Sequence, residues 1–479
     1  MIFWLVTLPM LAWVGSLLGS LPPREALWRV WWVAALFVPN FLYYQISAFS
    51  LTERFVCVAP VLLMVLVSPG KAGFGYLRPV PADLAALLLV LANLVSEYNV
   101  GRFKPMVLPD LLRLWLFPYV VGRVFFATGE DLHKSIPIFA KIGSAAAIYA
   151  VIEGLIKINL INKALGKTFG LLESGEGYRM GLKRSQGAQD HPIFMGLVLL
   201  MMLPWAFEAS RLARRAEGPR WWKTVPWLVG AALFTTVSRG PQLSALVTTY
   251  LAIFFRNPKK RILLVMLAVL IGLAAYSAQA AILAISAQIS KEADEPVKII
   301  EINGEEEEYT GTRHRMLLFK AYSEYLETAG LWGFGQAMSK VQLEERIALR
   351  FSSIDSTWVM LFLQRGYAGV SAFILLTVIS FMNALWVAWP ARRPHAPFCG
   401  AMVGALLMMV FGLFTSWFSP DYGAVYLFTT GICARLPYLQ FQEPSGTSLS
   451  ASSAASEPAR RPNMLIPGHP PLRPYELIP

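Results

Sequence analysis

The sequence is poor in charged residues and in cysteine. Asp, Glu, Lys and Arg make up 15% of its 479 residues, whereas a soluble domain has about 25%. The three cysteines, Cys57, Cys399 and Cys433, lie in apolar runs without a CxxC pair or a neighbouring histidine at metal-ligand spacing. We therefore expect small buried side chains at these positions, and neither a disulfide nor a metal site.

Motifs that bind nucleotides or catalytic metals are also missing. No HExxH, Walker A, GxGxxG or paired-cysteine motif occurs, so nothing indicates ATP, a metal or another cofactor. A net charge of +12 in a soluble protein suggests nucleic acid as a partner. Here many Lys and Arg lie in short loops between apolar runs, a distribution typical of membrane proteins. We therefore expect no nucleic-acid partner.

Apolar residues are abundant instead, at 56% of the chain. They form runs long enough to cross a bilayer, which takes roughly 20 residues each. Because hydrocarbon hydrates no backbone group, these runs should be helical. The sequence predicts an all-α, polytopic membrane protein with about twelve transmembrane helices. Candidate spans are 1–20, 27–46, 54–69, 81–97, 107–127, 136–158, 190–208, 224–238, 241–256, 262–283, 357–386, 398–418 and 422–437.

The basic loops predict the orientation of these spans. Residues 211–223 carry five basic side chains, residues 256–261 carry four, and 391–393 carry two more. The positive-inside rule places these loops in the cytoplasm. Counting back from them, the N-terminal run, which lacks a basic region and a cleavage site typical of signal peptides, is a first span that begins outside.

Hydropathy and composition divide the chain into four parts. Residues 1–283 are predicted to form a transmembrane bundle with an outward loop at 159–189. Residues 284–356 form one large extracytoplasmic loop, and residues 357–440 hold the C-terminal transmembrane helices. Residues 441–479 are rich in Ser, Ala and Pro, and such a segment is expected to be a disordered cytoplasmic tail.

Three polar clusters fall on the outward side of this topology. The first spans residues 178–192, the second residues 238–241, and the third residues 333–358, followed by Arg365 inside the next helix. The basic loops that define this topology lie on the opposite side. The position of all three polar clusters on one side is therefore an independent observation. It predicts that an outward-facing polar site is assembled from these clusters.

Two arginines next to or within apolar runs are functional candidates. Arg239 lies in a turn only a few residues long between two such runs. A charge there is costly unless it lines a wet cavity or meets a counter-charge. The alternative is that Arg239 snorkels to the membrane interface. Arg365 is a second candidate, for which the alternative is a structural ion pair.

The acid–base candidates stand where loops enter helices. Asp190 or Ser185 can cap the helix that begins near Pro192. His191 can instead perform acid–base work, because the pKa of histidine lies near neutral pH. Asp355 closes the large loop in an Asp-Ser-Thr sequence, which is typical of a helix N-cap, and its carboxylate is also a catalytic or substrate-binding candidate.

These motifs, in this order, resemble the O-antigen ligase and polymerase superfamily of bacterial envelope glycan assembly. The resemblance covers residues 179–370. The matching elements are the Arg- and Gly-rich stretch that ends in His191-Pro192, with Gly196 following; Ser238-Arg239-Gly240; Thr312-Arg313; Gly333-Phe334-Gly335; and Asp355-Ser356, which leads into the helix with Arg365-Gly366-Tyr367-Ala368-Gly369.

The resemblance implies an inverting GT-C-like glycosyltransferase that uses no nucleotide sugar and no metal. Such an enzyme takes a glycan from an undecaprenyl-pyrophosphate-linked donor at the periplasmic face of the bacterial inner membrane. It transfers the glycan to a hydroxyl of a glycan acceptor. Its further implied partners are the lipid bilayer in which it is embedded and other envelope polysaccharide assembly proteins. The implied catalytic residues are Asp355, His191 and Arg239, and the implied substrate-binding residues are Arg179, Arg184, Arg313 and Arg365.

The ligase branch of the family typically carries a His-rich motif at the place of Asp355-Ser356-Thr357, where this sequence has no histidine. The sequence therefore favours a polysaccharide polymerase over an O-antigen ligase that transfers glycan to lipid A–core. A transporter for lipid-linked sugars is a further alternative, although the inverted repeats expected of many transporters are not apparent. A non-catalytic assembly subunit is another.

Overall fold

The computed structural model describes most of the chain between residues 2 and 439. Arg313 and the predicted tail at 441–479 lie outside the described residues. The described residues are 2–47, 49–68, 78–166, 178–179, 182–278, 298–302, 304–309, 314–338, 341–343, 351, 354–390 and 395–439.

Helices dominate the described residues. Each of the thirteen predicted spans contains a helical segment in the described part of the chain, and the run at 107–127 is helical with a π-helical turn, Leu112–Leu116. The long helices are α1 (Ile2–Ser20), α2 (Pro23–Phe37), α3 (Glu53–Val67), α4 (Pro81–Asn99), α5 (Val107–Leu111) continuing into α6 (Phe117–Phe125), α7 (Gly129–Ile156), α8 (Pro192–Arg214), α9 (Val225–Thr235), α10 (Arg239–Arg256), α11 (Arg261–Ser277), α14 (Thr357–Ala388), α15 (Ala396–Gly412) and α16 (Pro420–Arg435); the short α12 (His314–Ala321) and α13 (Ser323–Thr328) lie in the large loop.

The helices have the character expected of membrane spans. Within the described residues, five are long and apolar enough to cross a membrane by length and composition alone: the apolar stretch Phe3–Ser20 of α1, and α4, α7, α8 and α14. The fold is thus a mostly helical one, consistent with an integral membrane protein. The count of about twelve spans and the outward position of the large loop stay predictions.

Among the described residues, three small antiparallel hairpins interrupt the helical pattern. They are β1 (Tyr43–Ile46) with β2 (Phe49–Thr52), β3 (Tyr178–Arg179) with β4 (Leu182–Lys183), and β5 (Lys298–Ile302) with β6 (Glu305–Tyr309). The first corrects a predicted boundary, because the span at 27–46 was expected to be one helix. Pro39 disfavours helical backbone in the residue before it, and Val38 is extended, with φ −97° and ψ 113°.

Helix α8 lies at the centre of the bundle and packs against α7, α9, α10, α15 and α16. Almost every residue along it is buried. Its Trp205 makes edge-on contacts with Trp32, Phe125 and Phe398, with ring centroids 5.2–5.9 Å apart. Such pairs contribute roughly 0.5–1.5 kcal/mol each beyond the area they bury. This packing fixes the start of α8, and with it His191.

One end of the bundle, here called the site end, collects the starts of α3, α8, α10, α14 and α16. Asn40, just after α2, donates a hydrogen bond to Asp421 in the first turn of α16. Thr357, the first residue of α14, donates to the carbonyl of Ser416 at 2.7 Å. The predicted polar clusters at 178–192 and 238–241 therefore share this end with the start of α14.

The opposite end, here called the basic end, holds the loops at 211–223 and 256–261. Arg24, at the start of α2, pairs with Asp131, at the start of α7, at 3.4 Å. Arg261 donates a hydrogen bond to the carbonyl of Trp389 after α14 at 2.9 Å. The two basic loops and the polar clusters thus lie at opposite ends, as the sequence-based topology requires.

Candidate functional site

A strained turn connects α9 to α10 at the site end. Val237 has φ 45°, a region that is strongly unfavourable for a β-branched residue and therefore persists only when its surroundings impose it. The amide of Ser185 donates to the carbonyl of Thr235 at 3.0 Å. Arg184 donates through Nη2 to Ser238 Oγ at 3.1 Å. Hydrogen bonds from the first polar cluster, residues 178–192, thus hold the turn before α10 and fix the position at which α10 begins.

The two arginines at this turn have different environments. Arg184 is 3% exposed, and its Nε also donates to the carbonyl of Thr236 at 3.4 Å. Arg239 is exposed and is the first residue of α10. The start of a helix presents backbone N–H groups and the positive end of the helix dipole, both of which favour anions. Arg184 therefore positions the turn, and Arg239 presents its guanidinium at a helix start.

Helices α8 and α10 approach each other closely near this turn. A Cβ added to Gly196 would lie 2.7 Å from Cβ of Pro241, so no larger residue fits at position 196 without moving α10. Gly196 follows His191 by five residues, and Pro241 follows Arg239 by two. The glycine therefore lets the starts of α8 and α10 lie side by side.

A buried carboxylate holds the loop that carries Arg184. Glu153, near the end of α7, accepts hydrogen bonds from the amides of Gln186 at 3.2 Å and Gly187 at 2.8 Å. It also accepts one from Asn159 Nδ2 at 3.0 Å. Sequence analysis missed Glu153, although a single carboxylate within an apolar run is a signal for such a role.

A second buried set of polar residues was also missed. We call Asn40, Arg54, Asp190 and Asp421 the Asp421 network. Arg54 donates through Nη2 to Val38 O at 3.0 Å and to Asp421 Oδ1 at 3.5 Å. The other oxygen of Asp421 accepts the Asp190 amide at 2.9 Å. The network ties α2, α3 and α16 to the residue before His191.

The environment of Asp190 affects its charge. Burial raises the pKa of the Asp190 carboxyl above its ordinary value, and a hydrogen bond with Asp421 and the positive charge of Arg54 offset only part of this rise. Asp190 lies beside Asp421, and a proton held by either carboxyl of this pair reduces the repulsion between the two acidic side chains. Asp190 is therefore suited to a structural role in the network.

His191 is the N-cap of α8. It has extended backbone angles, and its Nδ1 accepts a hydrogen bond from the amide of Ile193 at 3.1 Å. The prediction that Asp190 or Ser185 caps this helix was wrong, because His191 takes the cap position and the hydroxyl of Ser185 donates to the carbonyl of Ala150 instead; Pro192 does occupy the first turn. A ring nitrogen that accepts must be unprotonated, so the proton of the neutral ring lies on Nε2.

Asp355 lies one residue before the N-cap of α14. The cap is Ser356, with φ −143° and ψ 119°, so the interpretation of Asp355 as the cap was wrong. The amide of Thr357 donates to the carbonyls of Leu413 and Ser416, both at 2.9 Å. Asp355 is half-buried, and the anchored start of α14 fixes its position.

Two aromatic residues connect the environments of His191 and Asp355. The ring of Phe194 lies 5.5 Å from the ring of His191 and 5.3 Å from that of Tyr422. The hydroxyl of Tyr422 lies 3.2 Å from Oγ1 of Thr357, two residues after Asp355. His191 therefore contacts this aromatic pair through Phe194, and the start of α14, just after Asp355, contacts it through Thr357.

Arg365 occupies a different setting. It is 2% exposed, and its Nη1 donates to Glu97 Oε1 at 2.5 Å. The next residue, Gly366, has φ 60° and ψ −160° and kinks α14. The structural ion pair, which the sequence left as an alternative, is present. The substrate-binding role predicted for Arg365 gains no support from this geometry.

The remaining predicted site residues are only partly described. The backbone of Arg179 pairs with Leu182 in the hairpin of β3 and β4, while Arg313 lies outside the described residues.

Among the residues described, no cluster of three or more His, Cys, Asp or Glu side chains is arranged to hold a metal ion. Cys57, Cys399 and Cys433 are buried, as the sequence indicated.

Comparison with known proteins gives one family. No curated protein matches the chain. Residues 225–374 match the family model described as O-Antigen ligase. This stretch includes the strained turn, Arg239 and Asp355, whereas Arg184 and His191 precede it. The match confirms the resemblance of this chain to the O-antigen ligase and polymerase superfamily.

Proposed function

We propose that this protein is a glycan polymerase that transfers an undecaprenyl-pyrophosphate-linked oligosaccharide to a growing glycan at the periplasmic membrane face. The family match supports an activity of the O-antigen ligase and polymerase type. The observation that carries the proposal is the start of α10, where a strained turn clamped by Arg184 presents Arg239. His191 and Asp355 lie at the same end of the bundle.

Arg239 supplies the group that a pyrophosphate donor requires. A guanidinium binds phosphate oxygens through paired, charge-assisted hydrogen bonds, which an ammonium cannot reproduce. As the bond between the sugar and the pyrophosphate breaks, negative charge grows on the leaving oxygen. A fixed guanidinium at a helix start stabilises that charge more than the charge of the bound donor, which lowers the barrier to transfer.

The transfer itself is a single displacement. The oxygen of the acceptor hydroxyl attacks the anomeric carbon from the face opposite the pyrophosphate, and a new glycosidic bond forms. The carbon–oxygen bond to the pyrophosphate breaks, and the lipid pyrophosphate leaves with the electron pair. The hydroxyl proton passes to a general base. The anomeric centre is inverted, and no metal takes part in this mechanism.

Asp355 suits the role of base better than His191. Nδ1 of His191 accepts the amide of Ile193, so the neutral ring carries its proton on Nε2 and has no lone pair there to accept another. Asp355 is half-buried and is not needed as a helix cap. In this proposal His191 orients a substrate oxygen by donating a hydrogen bond from Nε2.

We also propose a location in the bacterial inner membrane with the site end in the periplasm. Gly304 lies in the turn between β5 and β6, and Lys259 lies in the basic loop after α10; both are exposed. Because the native cysteines are buried, Gly304→Cys and Lys259→Cys can be labelled selectively. Gly304→Cys should react with an impermeant reagent from the periplasm and Lys259→Cys only after permeabilisation. The reverse pattern contradicts the topology.

The activity is tested with purified protein and a lipid-linked oligosaccharide donor. The polymerase should produce longer lipid-linked glycans without an added nucleotide and in the presence of a chelator. Glycan that appears only when lipid A–core is supplied would identify a ligase instead. Donor that crosses a vesicle bilayer with no change in glycan length would identify a transporter. An Arg239→Ala sample, prepared identically, controls for contaminating enzymes.

A further inference from the structure

A groove of about 710 Å³ opens between α8, α9, α10 and the start of α15. Apolar side chains form most of its wall, among them Trp227 on α9 and Leu246 on α10, which are 79% and 69% exposed. Large apolar side chains exposed along a membrane-spanning bundle face lipid. The groove therefore opens sideways toward the bilayer, away from the site end described above.

The polar groups of the groove are concentrated near the basic end. Ser210, Arg211 and Arg214 on α8 and Arg256 at the end of α10 all line it. Oγ of Ser210 and Nη1 of Arg211 are buried without a hydrogen-bond partner in the described part of the chain. The other nitrogens of Arg211, Nε and Nη2, bind Glu208 at 2.8 and 2.5 Å.

Arg214 and Arg256 complete this cluster. Both are exposed, and both line the groove. A buried donor without a partner is costly, so the two such donors in the described part of the chain, beside the guanidinium groups of Arg214 and Arg256, point to an anionic ligand. Phosphate oxygens match this set of donors, because each accepts several hydrogen bonds.

We propose that the groove binds an anionic phospholipid of the leaflet at the basic end. Its phosphate contacts Ser210, Arg211, Arg214 and Arg256, and its acyl chains lie along the apolar wall. Basic clusters between transmembrane helices on the cytoplasmic side bind acidic lipid headgroups. The charged end of the groove lies one helix length away from Arg239, so this occupant differs from the glycan donor.

The bound lipid has a structural consequence for the turn before α10. Helix α10 has 18 residues and is thus about 27 Å long, close to the roughly 30 Å of the hydrocarbon core. The groove extends along it from Arg256 to Gln242, whose Nε2 donates to the carbonyl of Phe234 at 3.1 Å. Acyl chains in the groove fill the space between α9 and α10, the two helices that hold Arg239.

Native mass spectrometry of the full-length protein in mixed phosphatidylglycerol and phosphatidylcholine tests the proposal. The wild type should retain phosphatidylglycerol in preference to phosphatidylcholine. The double variant Arg214→Gln/Arg256→Gln should lose at least about tenfold of this preference, because it removes two charged groups that donate hydrogen bonds to the headgroup phosphate. Lys259→Gln/Lys260→Gln removes the same charge outside the groove and should retain the preference.

A second pair of variants tests the acyl-chain part of the groove. Gly230 lines the groove, and a Cβ added there meets no atom within 4 Å, so Gly230→Phe should occupy the space and displace the lipid. Gly272 on α11 also has open space around it, and Gly272→Phe is the matched control. The ratio of the two lipids within one sample does not depend on how much protein folds.

Three results would overturn the proposal. Equal retention of both lipids by the wild type would contradict the proposed headgroup site. An unchanged preference for phosphatidylglycerol in Arg214→Gln/Arg256→Gln would contradict it as well. If Gly230→Phe retains phosphatidylglycerol to the same extent as Gly272→Phe, the acyl chains do not lie along the groove. None of the lipid measurements requires glycosyl transfer, so a failure of the proposed polymerase activity leaves them interpretable.

Discussion

The turn before α10 and the kink in α14 each carry an arginine that the sequence marks as a functional candidate. At the kink, Arg365 is buried against Glu97, and the ion pair holds α14 to α4. At the turn, a second arginine, Arg184, makes the buried contacts, and Arg239 is exposed at the start of a helix. A guanidinium bound by a buried carboxylate stabilises the fold, whereas an exposed one on a clamped turn suits binding of an anionic substrate.

The carboxylates also differ in how deeply they are buried. Glu153 and Asp421 are fully buried and accept backbone amides, which uses their oxygens for structure. Asp355 is half-buried, and the backbone anchors of the next helix position it. We therefore propose that Arg239 and Asp355 take part in the chemistry and that Arg365, Glu153 and Asp421 support the fold, and the variants below test this division.

The largest expected effect is that of Asp355→Asn. Loss of a positioned base should slow glycan transfer by about 10²–10⁴-fold. Because Ser356 is the N-cap, this change leaves the helix start intact, and single-turnover rates with bound donor measure the chemical step. A circular dichroism melt should match that of the wild type.

His191→Ala is the competing variant. It removes the cap of α8 and should lower stability by about 0.5–2 kcal/mol, with a smaller rate effect than Asp355→Asn. A normal rate in Asp355→Asn beside an inactive, folded His191→Ala would move the base to His191. Normal rates in both would leave departure of the pyrophosphate as the only step that the protein assists.

Arg239→Ala should reduce kcat by about 10²–10³-fold, the effect of removing one fixed donor to a developing negative charge. The protein should still insert and fold, because Arg239 is exposed. Arg239→Lys should also be poor, since an ammonium lacks the planar fork of donors. Arg220→Ala, an exposed arginine at the basic end, is the control. Full activity of Arg239→Ala would mean that the side chain only snorkels to the interface.

Arg365→Ala should act on stability. It leaves Glu97 buried without its partner, which costs about 3–5 kcal/mol, and the folded fraction should retain its KM for the donor. The double variant Glu97→Gln/Arg365→Met should recover much of the loss, because two neutral residues replace the buried pair. A stable Arg365→Ala variant with a raised KM for the donor would indicate that Arg365 contacts the substrate, as proposed for Arg239.

The smallest effect is expected from Ser238→Ala. It removes the hydroxyl that accepts from Arg184 Nη2, and a hydrogen bond to a charged group contributes about 1.5–3 kcal/mol. The turn should loosen and kcat should fall less than in Arg239→Ala, with an unchanged KM for the acceptor. A loss as large as that of Arg239→Ala would show that Ser238 itself contacts the substrate.

The sequence predicted the helices well because each one depends on local hydropathy. Every candidate span contains a helix among the described residues, and the family match confirms the resemblance carried by Arg239 and Asp355. The predicted helix ends were less accurate where a proline or a cap decides them. Pro39 ends the predicted second span early, and His191 rather than Asp190 caps α8.

By itself, then, the sequence determined which segments are helical and which ends of them carry polar residues, since hydropathy and loop charge act over short stretches. Only the tertiary structure decided which charges are buried and paired. Glu97 and Arg365 are 268 positions apart, and Arg54 and Asp421 are 367 apart. The environment of an arginine depends on such distant partners, because desolvation and pairing are properties of the packed bundle and not of the residues beside it in the chain.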